Sequence, residues 1–175
     1  DGFDQHQYLI DKGQAQFGSA PFANAQAYGA RASQMTQIFK QVFGSEQPRL
    51  IPVVTLDDTA LTTAEALTML TTPAYVAQGG LSPLDAGIKF LGTDGYLTWF
   101  NTDPAVDQMV DEWMAQPDGG FGSARDFLLD QLSGSLLPNW QAGRALADEY
   151  GLGFGVYEGG ALLLNGSYSA PGAAR

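Results

Sequence analysis

The stretch Tyr150-Gly-Leu-Gly-Phe-Gly-Val-Tyr-Glu158-Gly-Gly decides how this chain is read. Leu152 to Tyr157 is a short apolar run of strand length, and it ends on Glu158-Gly159-Gly160. Before it, Asn139 can start a helix that closes at Tyr150, where Gly151 supplies the stop. A helix feeding a fully apolar strand is the repeating unit of parallel α/β proteins, whose strands are buried on both faces. The same unit recurs upstream. Ala23 to Phe43 reads as a helix whose apolar positions Tyr28, Met35, Ile38, Phe39 and Val42 fall at helical spacing, with Gly44 as its stop. Leu50 to Leu56 follows as an apolar strand, with Pro52 tolerable near its start.

Between these two units lies a third. Thr62 or Thr63 can cap a short helix over Ala64 to Leu70, and Thr71 to Asp85 reads as a loop holding Pro73, Gly79, Gly80 and Pro83. Ala86 to Leu91 is the middle strand, with Lys89 its awkward member. Asp103-Pro104 then starts a helix with Val106, Met109, Val110, Trp113 and Met114 on one face. After the Gly-rich loop Pro117 to Gly122, Ser123 can cap a helix bearing Phe127, Leu128, Leu132 and Leu136, which Pro138 interrupts. The alternation argues for an α/β fold with parallel strands. Three strands make a thin sheet for 175 residues, so the expectation is one domain that is a portion of a larger one, 1–175.

Composition narrows the function. Hydrophobic residues at 45% suffice for a packed core. Eight Lys and Arg against 19 Asp and Glu give a net charge of -11 and a pI near 4.1. Such a surface repels phosphate backbones and anionic headgroups, so no nucleic acid and no membrane are expected as partners. There is no Cys, and His6 is the lone His, which leaves neither a thiolate nor a multi-histidine metal site and makes a Ser-His-Asp triad hard to build. No run of 18 apolar residues and no signal-peptide pattern occurs, as is also true of a mature secreted protein.

In parallel α/β folds ligands meet the carboxyl ends of strands. Those ends here carry Asp57 and Asp58, then Asp94 and Tyr96, then Glu158. Of the five Glu, Glu46 sits in a loop and Glu65, Glu112 and Glu149 fall on helices. Only Glu158 directly follows an apolar strand, with glycines after it that leave room for a ligand. A carboxylate there can act as nucleophile or base opposite a second carboxyl. The alternative is a Glu that ends a strand and binds backbone or an Arg.

The run from Tyr150 to Gly160 resembles the seventh strand of retaining β-glycosidases of the large (β/α)8 clan, and more closely a set of bacterial glycosidase-like barrel proteins with a YEGG motif. The helix Asn139 to Tyr150, and the segment from Ala30-Arg31-Ala32 through Phe43-Gly44, Arg49 and Val54, are similar to the same set. The resemblance spans about Tyr8 to Leu164, more weakly between Thr71 and Gly92. It implies a partial (β/α)8 TIM-type barrel holding strands five to seven, with Glu158 at the nucleophile position. It also implies that Asp94-Gly-Tyr96 stands where many members carry His-x-Tyr, the Tyr oxygen orienting the nucleophile. The chain departs from the clan in two ways: Asp94 replaces that His, and the Asn-Glu pair that supplies the acid/base is found nowhere in these residues.

Other features have plainer readings. Gly151-x-Gly153-x-Gly155 mimics a dinucleotide fingerprint, but the glycines lie in a strand and no helix follows. Asp57-Asp58 lacks the alternating acidic ligands of a calcium loop and reads as a solvated strand end, or as a substrate contact. Trp99 is either a sugar-stacking platform or core, Trp113 is core, and Trp140 is open. Asp111-Glu112 is a solvated helix face, and Asn165-Gly-Ser167 matches a glycosylation sequon. The first reading is thus a glycoside-hydrolase-like domain working by double displacement, without cofactor or metal. Its partners are a carbohydrate and either the rest of the barrel or a copy joined through open strand edges, and a secreted location is favoured. The second is a non-catalytic carbohydrate-binding or structural barrel domain, and the third a self-contained small α/β protein.

Overall fold

The computed structural model describes residues 7–56, 64–101 and 104–165. Three strands, β1 (Val53–Leu56), β2 (Phe90–Asn101) and β3 (Gly153–Asn165), lie side by side in that order. β1 and β2 pair in parallel, with Val53 opposite Phe90 and Leu56 opposite Thr93. Gly153 N–H donates to the Lys89 carbonyl at 2.9 Å, position 153 abuts Phe90 and position 159 abuts Gly95, so numbering rises together along β2 and β3. The fold is mixed α/β, mostly helical, around a three-stranded parallel sheet, as the alternation predicts.

The chain divides into two compact units, Asp1–Asp94 with Asn139–Tyr157, and Gly95–Pro138 with Glu158–Arg175. In the first, one face of the sheet is buried: Val54, Leu56, Leu91 and Leu152 pack with Ala25, Ala66, Met69, Leu70, Ile88 and Ala147. These helical contributors lie on α2 (Ala23–Phe43), α3 (Ala64–Thr71) and α8 (Leu137–Glu149), apart from Ile88, which leads into β2. The pleat sends Val53 to the other side, where it is exposed.

α2 has the expected bounds but not the expected buried face. Its core side is made of small residues, Ala25, Ala27, Gly29, Ala30, Ser33 and Thr36, with Gln26 among them, while Met35, Ile38, Phe39 and Val42 are exposed. The reason is close helix approach. A Cβ at Gly29 would collide with the Met69 carbonyl of α3, and one at Gly13 of α1 (Gln7–Phe17) would lie 2.6 Å from the Ala23 backbone. Phe17 closes a second small core with Ala27 and Ala30.

Several expected boundaries move. β1 begins at Val53, leaving Pro52 outside the strand, where its carbonyl accepts Lys89 N–H at 2.9 Å. The expected loop Thr71 to Asp85 contains α4 (Pro73–Ala77) and the start of α5 (Pro83–Ala86), each led by a proline whose missing N–H costs nothing in a first turn. Ser82 caps α5 by accepting Asp85 N–H at 3.0 Å, so Ala86 is helical and not strand. The Thr62 and Thr63 cap and the Asp103 cap lie outside the described residues.

In the second unit α6 (Pro104–Met114) and α7 (Phe121–Gln131) meet through Trp113 and Phe127, rings 5.8 Å apart. Trp113 is half-buried against Phe127 and is not among the fully buried core residues. α7 starts two residues ahead of the expected Ser123 cap. Asp118 instead accepts Gly120 N–H at 3.0 Å and Gly122 N–H at 2.8 Å, and Ser123 donates to Gln116 Oε1 at 3.0 Å. Pro138 does not stop the helical run. A wider turn of π-helix, Leu132–Leu136, carries the chain past it into α8, with Leu137 N–H reaching back five residues to the Leu132 carbonyl.

Candidate functional site

Asp94, Tyr96 and Glu158 sit within strands, not beyond them. β2 runs on through Asp94 and Tyr96 to Asn101, and β3 through Glu158 to Asn165, whereas Leu91 and Tyr157 are the expected ends. Tyr96-Leu-Thr-Trp-Phe100 is rich in aromatic and branched residues, which hold an extended chain that Gly92, Asp94 and Gly95 alone would weaken.

Asp94 belongs to the first unit and is half-buried. Thr93 Oγ1 donates to its Oδ1 at 3.4 Å, and Trp140 Nε1 donates to its backbone carbonyl at 3.3 Å. Trp140 therefore ties the start of α8 to β2. On the sheet face turned away from the helices of this unit, glycines form a floor beneath aromatic rings. Phe90 lies over Gly153 and Gly155, and Tyr157 reaches over Gly92, its Cδ1 3.7 Å from where a Cβ would be. Tyr157 is 54% exposed. Gly151, with φ 66°, ends the helical segment before the strand, so it stands outside β3 while Gly153 and Gly155 stand within it.

Tyr96 and Glu158 belong to the second unit, on neighbouring strands. There the two backbones come very close: a Cβ at Gly159 would lie 2.6 Å from the Gly95 oxygen. Gly159 is thus required by strand approach, a different task from the ligand room expected of it. Glu158 is exposed and Tyr96 half-buried. Sequence reasoning took Tyr157 only as part of the YEGG motif. Its alternation with Gly153 and Gly155 is the signal that marks it as a ring on the open face.

Asp57 and Asp58 lie outside the described residues, as does His6. Trp99 falls in β2, and its side chain lies outside the described residues. Asp111 and Glu112 are exposed on α6, as a solvated helix face should be. Among the described residues no group of three His, Cys, Asp or Glu is gathered to hold a metal ion, and no helix is long and apolar enough to cross a membrane. Charge effects are local. The Gly122 and Gly120 N–H groups hold the Asp118 carboxyl below its usual range, and the hydrogen-bonded carboxylate of Asp148 raises Arg144. Burial and then the Glu149 charge push Tyr150 up. No family model, curated protein or solved structure matches the chain.

Proposed function

We propose that the chain is part of a glycoside-hydrolase-like (β/α)8 barrel that cleaves a β-glycoside with retention. The observation that carries this reading is an exposed Glu158 on a parallel strand beside the one bearing Tyr96, in a sequence similar to the YEGG barrel set. In this reading a Glu158 carboxylate oxygen attacks the anomeric carbon while the glycosidic C–O bond breaks. An acid/base outside these residues protonates the leaving oxygen and later takes a proton from the water that frees the sugar. In the arrangement that the resemblance implies, the Tyr96 hydroxyl orients the Glu158 carboxylate, Asp94 takes the place of the clan's His, and Trp99, Asp57 and Asp58 contact the sugar. A neutral glycan suits a chain of net charge -11 better than a polyanion does.

An activated 2-deoxy-2-fluoro β-glycoside tests the assignment, because its dinitrophenolate departs without acid assistance and the fluorine slows the second step. The expected result is one glycosyl adduct on the peptide containing Glu158, absent in Glu158→Gln. Labelling at another carboxylate, or turnover of aryl β-glycosides undiminished in Glu158→Gln, overturns it. Because Glu158 is exposed, that replacement should leave the melting temperature nearly unchanged, within about 0.5 kcal/mol of stability.

A non-catalytic carbohydrate-binding domain is the second reading. It is favoured by Tyr157, an exposed ring set over Gly92 on the open face of the first unit's sheet. Saturable binding of neutral oligosaccharides that Tyr157→Ala abolishes, with no adduct at Glu158, would select it.

A further inference from the structure

We propose that α2 is a dimerisation surface on which a second copy of this chain docks antiparallel, α2 against α2. Met35, Ile38, Phe39 and Val42 are 49%, 56%, 49% and 75% exposed, and their spacing of three, one and three residues makes a continuous row. An apolar row turned away from the core is the stripe by which one helix seats another. The sequence of α2 contains no carboxylate, on a chain whose net charge is -11. Two such acidic copies repel one another, and α2 adds no carboxylate to that repulsion.

The row is also self-complementary. Arg31 lies one turn before Met35, and Glu46 one turn past Val42, in the 3₁₀ turn Gly44–Arg49. Counted along the sequence, Arg31 and Glu46 are equally far from the midpoint between Ile38 and Phe39, as are Met35 and Val42, with the helix ending at Gly44 between Val42 and Glu46. A two-fold axis at that midpoint therefore sets Met35 against Val42 of the second copy and Ile38 against its Phe39, and turns Arg31 toward the end of the second copy's helix that leads into the turn bearing Glu46. A parallel pairing would oppose like charges at both ends. Arg31 now donates to Gln34 at 3.2 Å and Glu46 accepts from Arg49 at 3.2 Å, both exposed contacts that yield at little cost. Of the two cations of α2, Lys40 is engaged with the Ala86 carbonyl at 2.6 Å, which leaves too little positive charge for an anionic bilayer. The row is small beside the roughly 800 Å² per partner of a standard interface, so the dimer is weak and reversible.

Sedimentation equilibrium of the 175-residue chain up to about millimolar concentration reads the proposal out. The expected result is a monomer–dimer equilibrium that Ile38→Glu and Phe39→Glu each weaken at least about tenfold, with circular dichroism and melting unchanged because both sites are exposed. Arg31→Glu should weaken the dimer by a few fold, and adding Glu46→Arg should restore it. A chain monomeric throughout overturns the proposal. So does a dimer indifferent to Phe39→Glu, which would place the contact elsewhere, on a β1 or β3 edge. A charge exchange that fails to restore association overturns the antiparallel arrangement.

Discussion

The Gln26 amide is 1% exposed, donates to the Pro21 carbonyl at 2.9 Å and accepts Ala74 N–H at 2.7 Å. It thereby stitches the turn before α2 to the first turn of α4, 48 residues away. Gln26→Leu keeps the volume but removes the partner of the Pro21 carbonyl, which sits on an exposed residue, and of the N–H of half-buried Ala74, and only the second loss carries a desolvation cost of about 1–3 kcal/mol. We expect a stability loss of about 1–3 kcal/mol, read as a lower urea midpoint at unchanged slope. An unchanged midpoint would mean that water satisfies both groups. In the sequence, Gln26 looks like any polar residue on a helix, because neither partner is at helical spacing. The same blindness hides Tyr28, placed correctly as apolar and half-buried, whose hydroxyl accepts Thr55 N–H at 3.3 Å.

Elements were legible where a local signal sets them. The Gly44 and Gly151 stops follow from the positive φ that glycine permits, and α6 starts at Pro104, where proline's fixed φ suits a first turn. Which face of α2 is buried was not legible. Large apolar residues at helical spacing signal a core face, but backbone approach at Gly29 selects the small-residue side instead. The start of α7 was missed for a related reason, since Ser123 is a good cap by type but Asp118 reaches the turn first. That turn makes a pH prediction. The bound N–H groups lower the Asp118 pKa in the folded state, so its stabilisation is full above the unfolded value of about 4 and is lost as pH falls through the lower folded value. Asp118→Ala should therefore melt below the parent at pH 7, and the gap should close toward about pH 2. A gap that persists in strong acid would assign the effect to packing.

At the scale of the molecule the sequence conveyed a parallel sheet and its candidate carboxylates, Asp94 and Glu158, by residue type. It did not convey how far β2 and β3 extend, since Asp, Gly and Glu look like strand ends and only their neighbours on adjacent strands keep them extended. The sheet order leaves β1 and β3 at the ends, a condition that invites further pairing unless the edge is blunted. On β1 the blunting is visible: the Tyr28 hydroxyl takes the Thr55 N–H and also lies 3.3 Å from Thr55 Oγ1. Hydrogen exchange should rank the strands of the first unit accordingly. Leu91 and Thr93 of β2, both 0% exposed, should exchange slowest, and Val156 and Tyr157 of β3, 45% and 54% exposed, faster. Thr55 should be slow despite its edge position. Removing the hydroxyl by Tyr28→Phe keeps the ring packing but frees that one donor, a loss of about 1.4 kcal/mol for a bond to a neutral group, hence roughly tenfold faster exchange at Thr55. Leu91 and Thr93 should not respond, because their protection reports opening of the whole sheet. Equal acceleration at all three would show that Tyr28 stabilises the core as a unit and does not guard the edge. No acceleration at Thr55 would mean that the edge is covered by something other than α2.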